Sequence, residues 1–258
     1  MSDARPSPRL AATVLLVRDR PGGLEVFMVE RHHQIDFATG ALVFPGGKVD
    51  PADADPSLRA RCGESLANDD DARALRVAAI RETFEECGIL LARARGAAQL
   101  FAGAEAGTDF AALVQREDLL LACDRLVPFA HWITPAMVPK RFDTHFFLAE
   151  APEDQLALHD GSESVDSVWI APHAALREAE TSRRTIIYPT LMNLVRLAES
   201  RDVADALERA RKQPIVTVQP ALARGADGKA ELAIPADAGY PPLPPALARF
   251  ASVEGSRR

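Results

Sequence analysis

A chain of 258 residues, 47% of them hydrophobic, is long enough to bury a sizeable core, as one large domain or as one domain with an appendage. Its 37 acidic and 30 basic residues leave a formal charge of −7, which excludes nonspecific attraction to nucleic acid or to an anionic membrane, and no apolar run reaches the length needed to span a bilayer. Residues 1–9 carry charge and two prolines without an apolar segment, unlike a signal peptide. Three widely spaced cysteines, Cys62, Cys87 and Cys123, argue against a disulfide framework or a zinc ribbon, so a reducing, cytoplasmic setting is expected.

Residues 10–17 and 24–29 are apolar runs joined by Asp19-Arg20-Pro21-Gly22-Gly23, which reads as a turn in a β-hairpin. Arg31-His32-His33 follows the second strand, where the side chains either grip a phosphate or base or lie at the surface. A third strand over residues 41–44 delivers the loop Phe44-Pro45-Gly46-Gly47-Lys48-Val49-Asp50, whose paired glycines let backbone approach a ligand closely or adopt positive φ. Residues 51–68, rich in Asp, Ala and Pro with no clean period, read as a solvated loop. A helix is expected over residues 72–87, opened by Asp69-Asp70-Asp71 and closed by Gly88. A strand over 89–91 and helical spacing over 110–121 follow, then strands over 127–133, 142–149 and 165–170 and a helix after Pro172. Residues 189–200 and 202–212 form two consecutive amphipathic helices. Beyond Pro214 residues 215–219 are expected to pair with 231–234, within a proline-rich C-terminal extension packed on the main domain.

The run Arg81-Glu82-Thr83-Phe84-Glu85-Glu86-Cys87-Gly88-Ile89 carries the chemistry. Residues three and four apart are neighbours on a helix, so Glu82, Glu85 and Glu86 can converge on one point. Oxygen ligands at that density suit Mg²⁺ or Mn²⁺. The same spacing also describes an ordinary solvated acidic face, because Val77, Ile80, Phe84 and Cys87 cluster on the opposite side of the wheel. Arg141, which opens the run to Phe147 that includes His145, either pairs a phosphate in the fork geometry arginine favours or makes a salt bridge at a strand end.

Taken together these motifs resemble the box of the Nudix hydrolases, Gly-x5-Glu-x7-Arg-Glu-U-x-Glu-Glu-x-Gly-U, with U a bulky apolar residue. Gly47 matches its first glycine, and Arg81, Glu82, Glu85, Glu86, Gly88 and Ile89 match its second half. Thr83 stands at an apolar position, and Asp53, six positions after Gly47, stands in register for the middle glutamate. From Asp53 to Arg81 is 28 positions where the pattern has 8, so some twenty residues are inserted inside the box. A branch of the family that includes peroxisomal coenzyme A diphosphatases of eukaryotes is similar in carrying such an insertion. Its members resemble this chain at Phe44-Pro45-Gly46-Gly47, at Ala79-Ile80-Arg81-Glu82-Thr83-Phe84-Glu85-Glu86, and at Arg141-Phe142-Asp143-Thr144 followed by Phe146-Phe147.

The resemblance implies an α/β fold, the Nudix α/β/α sandwich with a mixed central sheet, box insertion and C-terminal extension. The expected division is a flexible N-terminus over 1–9, a Nudix hydrolase domain over 10–213 with the insertion at about 51–71, and an extension over 214–258. It further implies that Glu82, Glu85, Glu86 and the Gly47 carbonyl hold Mg²⁺ or Mn²⁺, and that Glu82 or the loop acid Glu163 takes a proton from water. Arg81 is expected to orient a glutamate through an ion pair. Arg31, Lys48 and Arg141 are expected to meet the substrate, a small nucleotide-derived diphosphate. Coenzyme A or an acyl-CoA is favoured, with ADP-ribose, NADH or a nucleoside-diphosphate sugar as the alternative. A non-catalytic nucleotide sensor is the reading from another class. It is disfavoured because all three second-half glutamates survive and no helix-turn-helix is evident. A homodimer is left open.

Overall fold

The computed structural model describes residues 7–31, 40–63, 69–97, 108–153, 155, 164–224, 228 and 230–252. Glu163, His32, His33 and the side chain of Arg31 lie outside the described residues. The central strand is β1 (Arg9–Arg20), and its apolar run follows from burial on both faces: Ala12, Val14 and Leu16 enter one hydrophobic cluster, Leu15 and Val17 the other. A strand covered on both sides loses the polar alternation of a half-solvated one. On one side β1 turns through Pro21-Gly22 into the antiparallel β2 (Gly23–Arg31), with Val17 opposite Val26. On the other it runs parallel to β8 (Phe142–Glu150), from Arg9 opposite Phe142 to Val17 opposite Glu150.

The sheet grows outward from this pair. β3 (Leu42–Val43) and β9 (Ser164–Ile170) pair with β2, β4 (Gly46–Lys48) pairs with the first half of β1, and β7 (Val127–Ile133) pairs with β8. β10 (Thr217–Val218) lies parallel to β7 at the edge, so the described residues form a mixed sheet of eight strands. One face is covered by α2 (Asp70–Cys87), with α1 (Pro56–Arg59) and α3 (Phe110–Arg116) in the same cluster. The opposite face is covered by α4 (Pro172–Glu180), α5 (Tyr188–Leu197) and α6 (Val203–Lys212). This is the α/β/α arrangement. No helix among the described residues is long and apolar enough to cross a membrane.

Helix α2 begins and ends where its capping residues dictate. Asp69 accepts a hydrogen bond from the Ala72 amide at 2.8 Å, and Gly88 closes the helix in the left-handed region at φ 69° with its N–H donating to the Phe84 carbonyl. Its faces depart from the simple wheel. Val77, Ile80, Phe84 and Cys87 are fully buried, but so is Thr83, and Glu86 is only 8% exposed. The three glutamates therefore do not share one solvated face: Glu85 alone is exposed, because β4 and the glycine loop cover the flank that carries Glu86.

Four local expectations are corrected. Residues 51–63 of the insertion are short helical turns rather than an irregular loop: a 3₁₀ turn, Pro51–Ala54, capped by Asp50 leads into α1, and Asp53, Leu58 and Cys62 are buried while most of the other side chains stay exposed, as expected. The Asp-rich composition there includes successive, exposed helix caps, Asp50 and Asp55. Residues 110–121 are two elements, because Asp118 at φ 47° ends α3 and turns the chain into β6 (Leu119–Leu121). Residues 89–91 are buried coil, and the strand there is β5 (Ala92–Ala94), paired with β6. Finally, β10 joins the main sheet, leaving β12 (Ala230–Ala233) to pair with β11 (Ala221–Arg224). The C-terminal segment is tied down by Tyr240, whose hydroxyl accepts from Trp132 Nε1 at 2.7 Å and donates to Asn193 Oδ1 at 2.7 Å.

Leu58 sits in the cluster beneath α2. Leu58→Ala is expected to destabilise the protein by about 2–5 kcal/mol, as for a buried leucine elsewhere. Urea denaturation checks this, and a cost near zero would mean that α1 does not pack as described.

Candidate active site

The site is built where β4 and the start of the insertion meet the last two turns of α2. Gly46, at φ 150°, brings β4 against β1 so closely that a Cβ there would overlap the Ala12 carbonyl and Thr13. Its N–H donates to Glu86 Oε2 at 2.9 Å. Gly47 lies directly against Glu82, and a Cβ on it would overlap the Glu82 carboxylate. The paired glycines are thus a steric requirement for bringing backbone onto two of the three glutamates.

Arg81 is the hub. Its Nε and Nη2 hold Asp53 in a fork at 2.7 and 2.9 Å, and its Nη1 holds Glu82 at 3.0 Å and Glu85 at 2.8 Å. Nη2 also donates to the Lys48 carbonyl at 3.0 Å. All five N–H groups of the guanidinium therefore meet acceptors. Burial alone would lower the Arg81 pKa, but the hydrogen bonds it donates to Asp53 and the charges of Glu82, Asp53 and Glu85 hold it well above the ordinary value. Asp53 has no exposed surface, and its Oδ2 also accepts from the Asp50 amide at 2.7 Å. A carboxylate buried to that extent is tolerated because a cation and a backbone donor compensate it.

The expected residues are brought together unequally. Glu82 and Glu85 meet at one nitrogen of Arg81, Glu86 turns to the glycine loop, and Gly47 lies between β1 and Glu82. Lys48 adds its carbonyl to Arg81 while its side chain is exposed. Arg141 lies at the turn between β7 and β8, where its carbonyl accepts from the Arg9 amide. Its Nε donates to the Thr134 carbonyl at 3.1 Å, and among the described residues it makes no ion pair, so the strand-end salt bridge is replaced by a backbone contact. Asp53 is the residue whose importance sequence reasoning understated. Its signal was the Asp50-x-x-Asp53 spacing, a reciprocal capping box that fixes the carboxylate next to the loop.

A family model described as the NUDT19 Nudix domain matches residues 57–197, more than half of the chain. The chain belongs to this family of Nudix hydrolases. The match begins after Gly47 and Asp53, so the first half of the box is contributed by residues ahead of it. A Caenorhabditis elegans relative that bears the name nudix hydrolase 7 is 29% identical over 69% of this chain, which spans 57% of that relative's length. The acyl-coenzyme A diphosphatase NUDT19 of Gallus gallus is 28% identical across 92% of this chain and 80% of its own. A crystal structure of a Nudix hydrolase from Alicyclobacillus acidocaldarius superposes with a TM-score of 0.69 at 28% identity, covering 80% of this chain and 97% of that one.

Asp53→Asn removes one charge of a buried pair and leaves the guanidinium without its fork. A loss of about 3–5 kcal/mol is expected, read as a lower urea midpoint. An unchanged midpoint would show that Arg81 repairs itself through Glu82 and Glu85.

Proposed function

We propose that this hydrolase cleaves the diphosphate of coenzyme A or an acyl-CoA in the presence of Mg²⁺ or Mn²⁺, releasing adenosine 3′,5′-bisphosphate and a phosphopantetheine product. The observation that carries the reading is the likeness to an acyl-coenzyme A diphosphatase across 92% of the chain. The donor set suits the cation: three carboxylates and the Gly47 carbonyl are hard oxygen ligands, with Glu82 and Glu85 meeting at Nη1 of Arg81 and Glu86 fixed at the glycine loop. Glu82, Glu85, Glu86 and that carbonyl would hold the ion, which supplies charge neutralisation at the diphosphate oxygens.

The chain's own residues carry the remaining tasks. Glu82 or Glu163 takes the proton from the attacking water. Arg81 is a positioning residue: with both edges of its guanidinium committed to Asp53 and Lys48, it fixes where Glu82 and Glu85 can stand. Coenzyme A carries a 3′-phosphate in addition to the diphosphate, and an acidic protein must supply local cations for it. Arg31, Lys48 and Arg141 are assigned that task.

Glu85→Gln and Glu86→Gln are each expected to lower kcat by about two orders of magnitude or more while circular dichroism and melting stay near wild type. A Glu86→Gln enzyme with wild-type turnover would remove the metal assignment. The substrate is tested by a mass-spectrometric panel of coenzyme A, acyl-CoA, ADP-ribose, NADH and nucleoside triphosphates with each metal. Arg141→Ala should then raise KM for coenzyme A more than it lowers kcat, the pattern for binding common to ground and transition states. Much faster hydrolysis of ADP-ribose or NADH would end the coenzyme A reading.

A further inference from the structure

Two strands from the glycine loop, the sheet carries a group of side chains that the hydrolytic reading does not use. Gly47 pairs with Ala12, Ala12 with His145 and His145 with His131, so the row runs across β4, β1, β8 and β7 about 5 Å per step. Asp143 lies two residues before His145 and therefore on the same face of β8. That face is the one packed under α2, since Ala12 and Phe147 belong to its cluster. The side chains converge. His131 Nε2 lies 2.5 Å from Asp143 Oδ1 and His145 Nε2 lies 3.8 Å from the same oxygen. The two imidazoles stack with centroids 4.0 Å apart at 21°. One ligand atom from each residue falls within 4.8 Å of the other two, and all three side chains are part-exposed, so the group is open to solvent.

A hydrogen bond from His131 to Asp143 would suffice as a staple between β7 and β8. It gives no reason for a second imidazole whose Nε2 approaches the same carboxylate oxygen without bonding to it. We propose that His131 Nε2, His145 Nε2 and Asp143 Oδ1 bind a divalent transition metal of the Zn²⁺ type. Two imidazoles and a carboxylate are a donor set for zinc with a further position left for water, softer than the all-oxygen set of the box. Bonds of about 2.0–2.2 Å in a tetrahedron place neighbouring ligand atoms about 3.4 Å apart. The distances of 2.5 and 3.8 Å straddle that spacing, so small side-chain rotations on fixed strands complete the geometry.

The surroundings accommodate either tautomer of His131. Thr217 of β10 places its hydroxyl 2.8 Å from His131 Nδ1. With Nε2 on the metal, Nδ1–H donates to Thr217, the outer contact that metal-bound histidines require. Without metal, Thr217 donates to Nδ1 and Nε2–H donates to Asp143, so occupancy exchanges one tautomer for the other and keeps the Nδ1 contact. Asp143 supplies the compensating negative charge. Arg76 of α2, whose charge reaches His145, is turned over the Phe147 ring at 5.1 Å and donates to the Ala72 carbonyl at 3.1 Å.

The test is calorimetric titration of Zn²⁺ into the tag-free full chain in excess Mg²⁺, which keeps the box carboxylates occupied. One zinc per chain is expected, abolished in His131→Ala and in His145→Ala, weakened about 10–100-fold in Thr217→Val, and unchanged in His173→Ala, which alters an exposed histidine of α4. Should either alanine variant misfold, the wild type decides: zinc must shift the imidazole nitrogen resonances of His131 and His145 in ¹⁵N NMR. No zinc uptake by the wild type, uptake unaffected by both variants, or shifts confined to other histidines overturns the site.

Discussion

The arrangement of the box depends on one guanidinium. Four carboxylates, Asp53, Glu82, Glu85 and Glu86, are drawn to the end of α2, and like charges at that separation repel strongly wherever water is excluded. Arg81 makes the gathering tolerable by giving its five donors to three of them and to the Lys48 carbonyl. A lysine could not do this, since its ammonium is a point charge without a planar fork. The fourth carboxylate, on Glu86, is met from the other side by the Gly46 amide. The site is therefore first of all a charge arrangement.

This explains how the motif survives interruption. Asp53 and Arg81 are 28 residues apart yet meet at 2.7 Å, because the insertion leaves the sheet after the capped turn that fixes Asp53 and returns at the Asp69 cap of α2. Closing a longer loop between fixed ends adds little entropy. Leu58 and Cys62 also bury themselves in the cluster beneath α2, so the start of the insertion contributes core.

The two faces of the sheet divide the labour. The α2 face carries the box at one end and the His131, Asp143 and His145 group further along the same row. The opposite face is closed by α4 to α6 and by the C-terminal segment, where Trp132, Tyr240 and Asn193 form a hydrogen-bonded chain and Tyr240, largely desolvated, has its pKa pushed up to about 12. By pairing with β7, β10 both covers a sheet edge and delivers Thr217 to His131.

The sequence by itself determined what rests on short-range chemistry. The Pro21-Gly22 turn, the Asp69 cap and Gly88 stop of α2 and the helical spacing that puts Glu82, Glu85 and Glu86 within one turn are decided by interactions reaching no more than about four residues along the chain. Periodicity failed where two short elements abut, as at Asp118, and where composition could mean either caps or solvent, as after Asp50. Tertiary structure alone decided which glutamate is buried, what holds Asp53, which strand β10 joins and which two histidines stack. Each of these is a contact between residues distant in sequence, and hydrogen bonding across a sheet or burial under a helix depends on how whole elements dock, which no local pattern encodes.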